Sequence, residues 1–213
     1  AHQHLLEQFA RADAAVLLGT QMIAKGLDFD EVTLVGVINA DTMLHLPDFR
    51  SSERTFDLIE QVAGRSGRAH LAGKVIVQTY SASDTAIQSA AHYDRERFLK
   101  EELKLRQEME YPPFVRLANV LIWGRDEQVI KSLGNEFFSD IRKEVEKRGC
   151  KGWTIFPLTA CVLSRLKGAW RYHLLIKAPV GDDISSVLAP LFRARKSIEG
   201  VQVSLDIDPI SLL

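Results

Sequence analysis

The stretch best suited to chemistry is Gln61-Val62-Ala63-Gly64-Arg65-Ser66-Gly67-Arg68. Arg65 and Arg68 lie three residues apart, each follows a glycine, and Gln61 precedes Arg65 by four. A guanidinium is a planar, permanently charged fork that matches phosphate oxygens. If residues 57–64 are the last turns of a helix, Gln61 and Arg65 share one face at i, i+4. Arg68 then extends from the turn that follows. Gly64 and Gly67 would let the backbone tighten there without a Cβ clash. Such a bend aims two cations at one polyphosphate. The same spacing also suits a plain helix C-terminus, with arginines complementing the dipole.

A parallel α/β layer is expected to position this bend. Residues 1–13 read as an amphipathic helix with Leu5, Leu6 and Phe9 on one side. Residues 14–19 are continuously apolar, as in a strand buried on both faces of a parallel sheet. Residues 32–39 and 74–80 read as two more strands, with helices at 20–25 and about 52–64 between them. Residues 83–110 read as one long polar helix, which Tyr111-Pro112-Pro113 ends because the residue before proline avoids the helical region. Strands alternating with helices imply βαβ crossovers. Ligands in such sheets sit at the carboxyl ends of strands, where Thr20, Gln21 and Asp41 fall. Three strands make a thin sheet. The chain is therefore expected to be a piece of a larger lobe, with an open sheet edge through which isolated copies pair.

A domain boundary is expected near residue 110, separating 1–110 from 111–213. Residues 115–123, 154–156, 161–165, 172–178 and 201–207 read as extended pieces, and 127–147 and 182–195 as helices. The order β-α-β-β-α-β is the ferredoxin-like split βαβ, which hosts many functions. Within it, Arg165-Leu166-Lys167-Gly168-Ala169-Trp170-Arg171 puts three cations and an aromatic on a turn between strands. Arg165, Lys167, Trp170 and Arg171 then form a platform for unpaired bases or a fork backbone. The alternative is an ordinary hairpin with a solvated basic tip.

The net charge is −1 but uneven: residues 1–110 have a balance of −5 and residues 111–213 one of +4. The basic half is the better candidate for a nucleic-acid backbone. No run of about 18 apolar residues suggests a membrane span, and no signal peptide is visible at Ala1. Cys150 and Cys161 lack metal-ligand spacing and read as reduced cytosolic thiols.

A second stretch, Gly19-Thr20-Gln21-Met22-Ile23-Ala24-Lys25-Gly26-Leu27-Asp28-Phe29, precedes the arginine bend. In that order the two stretches resemble motifs V and VI of superfamily-2 helicases. With Asp41–Arg54 (DTMLHLPDFRSSER), Tyr111-Pro112-Pro113-Phe114 and Asp206-Ile207-Asp208-Pro209 added, the whole chain resembles the C-terminal portion of the PriA family of replication-restart helicases.

That resemblance implies a partial RecA-like second helicase lobe followed by a ferredoxin-like domain, within an ATP-dependent 3′-to-5′ DNA helicase of primosome assembly. It implies that Arg65 and Arg68 are fingers toward the γ-phosphate, ordered by Gln61, and that Gly26 and Asp28 approach the nucleotide from the other side. Asp28 otherwise reads as a turn residue. Thr20 and Gln21 suit the phosphates of a DNA strand; Lys25 either joins them or solvates a helix end. ATP and Mg2+ would belong to the full-length protein, because the chain has no G-x-x-x-x-G-K-[ST] loop. The family's zinc would as well, since its paired CxxC sequences are absent here. The isolated chain is thus expected to be inactive as an ATPase. The implied partners are branched or fork DNA, single-stranded DNA-binding protein and primosome proteins, at the bacterial nucleoid in the cytoplasm. The family tends to carry a basic residue at Ala169, glutamine at His173 and glycine at Phe156. The rival readings are another superfamily-2 translocase and a non-catalytic DNA- or protein-binding module.

Overall fold

The computed structural model describes residues 2–20, 32–64, 73–195 and 197–212. They fall into two compact units. The first comprises Ala1–Leu46 and Arg50–Glu102, the second Pro47–Phe49 and Leu103–Leu213.

The first unit opens on α1 (His2–Ala10). Residues 14–19 form no strand: Val16 is 94% and Leu18 80% exposed. The apolar run has no described neighbour to pair with, so composition alone did not make it a strand. The sheet consists of β1 (Leu34–Val37) and β2 (Lys74–Val77), paired in parallel from Leu34↔Lys74 to Val37↔Val77. Val37 and Val77 pack against the core, whereas Leu34, Ile38 and Ile76 remain exposed. Helices cover one face only among the described residues, which replaces the expected two-sided burial. A short helix, α2 (Asp41–Leu44), precedes α3 (Ser51–Ala63).

The expected helix over 83–110 is two helices, α4 (Thr85–Ala91) and α5 (Arg95–Glu108). Tyr93 sits at φ 55, in the left-handed region. Asp84 accepts from Ala86 N–H to cap α4, and Asp94 accepts from Arg97 N–H as α5 begins. No glycine or proline marks that break. The core gathers Leu44, Phe56, Ile59, Ile87 and Phe98. The rings of Phe56 and Phe98 stack at 4.2 Å, and the Arg95 guanidinium lies 5.5 Å over Phe56 while pairing with Glu60.

The second unit is an antiparallel sheet with helices on one face. Its elements are β3 (Val115–Gly124), α6 (Glu127–Lys147), β4 (Thr154–Ile155), β5 (Thr159–Leu166), β6 (Ala169–Pro179), α7 (Ile184–Ala194) and β7 (Val201–Ile207). β6 and β7 flank β3, and both β4 and β5 pair with β6. Omitting the two-residue β4, this is the ferredoxin-like order. Alternation sorts the side chains: Ala118, Val120 and Ile122 of β3 and Tyr172, Leu174 and Ile176 of β6 face the helices. There they meet Ile130, Phe137, Ile141 and Leu188. Asp126 caps α6 by accepting from Gln128 and Val129 N–H, and Asp183 caps α7 by accepting from Ser186 N–H. Gly124 permits close packing at the end of β3, because a Cβ there would come 2.6 Å from Gly200 O.

Candidate functional site

α3 carries Gln61, half-buried, toward its C-terminus, with Gly64 as the C-cap. Gly64 has φ −66 and ψ −3, so it continues the helical twist and needs no glycine freedom. That corrects the expected tightening at this position. Ser51 Oγ donates to Leu46 O at 2.5 Å and Thr55 Oγ1 to Ser51 O at 2.8 Å, which fixes the start of the helix. Arg65 and Arg68 lie outside the described residues, as do Gln21, Lys25, Gly26 and Asp28. Thr20 is exposed and follows irregular backbone rather than the end of a strand.

At the carboxyl ends of β1 and β2, Asp41 is the organising group. Its Oδ1 accepts from Thr79 Oγ1 and its Oδ2 from Tyr80 N–H, both at 3.0 Å. Burial pushes its carboxyl up, but the hydrogen bonds from Tyr80, Ser81 and Thr79 outweigh this and hold it below the usual range. Asp41 therefore ties the two strand tips together.

The Leu46-Pro47-Asp48-Phe49-Arg50 core, for which the sequence offers no mechanism, has a defined role. Its central tripeptide belongs to the second unit. Asp48, 8% exposed, accepts at Oδ2 from Ser211 Oγ (2.7 Å) and Leu212 N–H (3.0 Å). The Phe49 ring stacks on Tyr111 at 5.4 Å. A ladder continues to either side: Arg106 lies 5.3 Å over Phe49, and Lys177 Nζ lies 4.1 Å over Tyr111 and 5.4 Å over Phe156. Lys177 is 7% exposed and donates to Met109 O at 2.7 Å. Burial lowers its affinity for the proton, with Glu110 opposing. Asp208 Oδ2 accepts from Arg116 Nη2 at 2.5 Å. Pro47–Phe49 and the two later stretches thus belong to the scaffold of the second unit, while the rest of the first stretch belongs to the first.

The basic turn is a β5–β6 hairpin with Lys167 (φ 49) and Gly168 (φ 82) at its tip. Its four predicted residues do not share one face. Arg165 pairs across from Trp170, and its guanidinium lies 5.2 Å over the indole. Trp170 packs against the core on the helix side of the sheet. Arg171, one residue on, points to the opposite face. Trp170 is thus half-buried, packed against the core with the Arg165 guanidinium over its ring. Its parity with Tyr172, Leu174 and Ile176 was the sequence signal for this. His173 Nδ1 lies 3.1 Å from Asn119 Oδ1, and burial together with the Arg171 charge holds its pKa below the ordinary 6.5.

Among the described residues no cluster of His, Cys, Asp and Glu could hold a metal, and no helix is long and apolar enough to cross a membrane.

Residues 1–70 match the family described as helicase conserved C-terminal domain, and residues 107–210 the primosomal protein N C-terminal domain. The chain is 41% identical to the replication restart protein PriA of Bacillus subtilis, covering 100% of this chain and 26% of that protein. It is 36% identical to the protein of the same name from Chlamydia pneumoniae, covering 99% and 28%. For Treponema pallidum the values are 36%, 99% and 32%. The chain thus spans about a quarter to a third of the length of these curated relatives.

Proposed function

The chain belongs to the PriA family of replication restart proteins, and from that premise we propose that it is the C-terminal part of an ATP-dependent 3′-to-5′ DNA helicase acting at stalled forks. The observation that carries this reading is the succession, in one chain, of a helicase C-terminal match and a primosomal C-terminal match. In this reading Arg65 and Arg68 stabilise charge that develops on the γ-phosphoryl group in transfer. Such a finger supplies roughly 10³–10⁵ in rate. Gln61 orders them from the last turn of α3, with Gly26 and Asp28 on the nucleotide's other side. Thr20, Gln21 and Lys25 follow the DNA backbone, and Arg165, Lys167 and Arg171 add cations at the fork. The chain alone lacks a phosphate loop and does not turn over ATP. The ATP, Mg2+ and zinc are held by the rest of a longer protein that works in the bacterial cytoplasm. Fork DNA, single-stranded DNA-binding protein and primosome proteins are its partners.

The deciding experiment is Arg68→Ala in the full-length protein. DNA-stimulated ATPase falls by at least about a thousandfold, while DNA affinity is retained. ATPase retained within a few-fold refutes the finger role.

A further inference from the structure

Helices cover one face of the second unit's sheet; the register defines what the other face carries. Three rows of side chains cross it: Arg171–Trp123–Gln202, then His173–Leu121–Ser204, then Leu175–Asn119–Asp206. All nine are half-buried or exposed. The far end is closed, where Leu117 and Lys177 are buried. The near end is basic. β3 finishes there with Gly124 beside Trp170, so Arg125 leaves the sheet two residues beyond the Trp123–Arg171 pair; the hairpin adds Lys167 at its tip and, on the helix side over Trp170, Arg165. None of these four cations is ion-paired with another described residue. The neighbouring acids are already engaged: Asp126 caps α6, and Glu127 binds Lys131 (2.8 Å) and Tyr172 Oη (2.6 Å).

We infer that this open face is a track for single-stranded DNA, entered at Arg125, Arg171 and the Lys167 tip and continued by base stacking on Trp123. The inference rests on the reading of the second unit as a fork-binding domain and names the contact surface. Uncompensated cations collect phosphates and release counterions. An indole beside polar groups and two leucines, Leu121 and Leu175, gives any base a stacking surface. Asn119, His173, Gln202 and Ser204 offer amide, imidazole and hydroxyl groups to base edges. His173 Nδ1 is engaged by Asn119 Oδ1, which leaves its Nε2 for a base edge. Asp206, in the third row, sets the limit of the track by repelling phosphate. A surface made for an apolar protein segment would carry more aliphatic residues than Leu121 and Leu175 and no unpaired charge at its mouth.

The test is fluorescence anisotropy of the 213-residue chain with a labelled oligothymidine of about 12 nucleotides, over a salt series. Trp123→Leu is expected to weaken binding about 5- to 150-fold, and Trp123→Phe to restore most of it. Arg125→Gln with Arg171→Gln is expected to flatten the slope of log K against log salt by roughly 1.4. The latter pair removes exposed or half-exposed side chains and keeps the test decisive should Trp123→Leu unfold. If Arg165→Gln with Lys167→Gln abolishes binding while the Trp123 and Arg125/Arg171 variants bind as the parent, DNA contact is confined to the hairpin. The open face then fails although the fork-binding reading survives. If the parent chain does not bind the oligonucleotide, both fail. Unchanged affinity in Trp123→Leu and an unchanged slope in the double variant overturn the track.

Discussion

Removing the Asp48 side chain probes the most specific long-range contact in the second unit. Its carboxylate accepts hydrogen bonds from groups 163 and 164 residues later in the chain, among its contacts. A hydrogen bond to a charged group contributes about 1.5–3 kcal/mol, and a buried donor left unsatisfied costs about 1–3 kcal/mol. The Leu212 N–H is the buried donor here, while Ser211 Oγ can turn toward water. Asp48→Ala should therefore cost roughly 2–4 kcal/mol. Urea denaturation followed by tryptophan emission isolates the effect, since all three tryptophans (Trp123, Trp153 and Trp170) belong to the second unit. With a slope of about 2 kcal/mol per M, the midpoint should fall by roughly 1–2 M. Ser211→Ala should cost about 1 kcal/mol. The double variant should cost less than the sum, because both remove the same bond. A midpoint unmoved by Asp48→Ala, or strict additivity of the two changes, refutes the assignment.

Two groups give pH-dependent expectations. His173 titrates below 6.5 in the folded chain, so on acidification the unfolded chain takes up its proton first. Stability falls as pH drops from 6.5 toward the folded value, then levels; His173→Gln should flatten that part of the profile, and an unchanged profile refutes it. Lys177 loses its proton below 10.5, so this group makes stability rise with pH between its folded value and 10.5. An NMR titration of its Nζ with a midpoint at or above 10.5 contradicts its burial.

How much the sequence reveals depends on the range of the interaction. α3 and α6 were legible because Phe56 and Ile59, or Ile130, Leu133, Phe137 and Ile141, recur at helical spacing. The ferredoxin-like order followed from the same local patterns. The break between α4 and α5 was hidden because Tyr93, not glycine, takes the left-handed turn. The run at 14–19 misled because apolar composition specifies a strand only where a partner strand and covering helices exist. The hairpin residues were found, yet their division between two faces required alternation to be followed from Tyr172 back through Trp170. Trp123 gained meaning only when register set it beside Arg171. The anchoring of Pro47-Asp48-Phe49 rests on contacts across most of the chain, which no local pattern reports.

The membership of that tripeptide has a practical consequence for dissecting the protein. No single cut yields both units whole. A gene piece opening at Leu103 would express the sheet without its clasp, leaving the tail at Ser211 and Leu212 without the Asp48 carboxylate and the ring of Tyr111 without Phe49. A synthetic peptide spanning residues 46–50, added back in trans, should mend such a truncated product; scrambling its order should not.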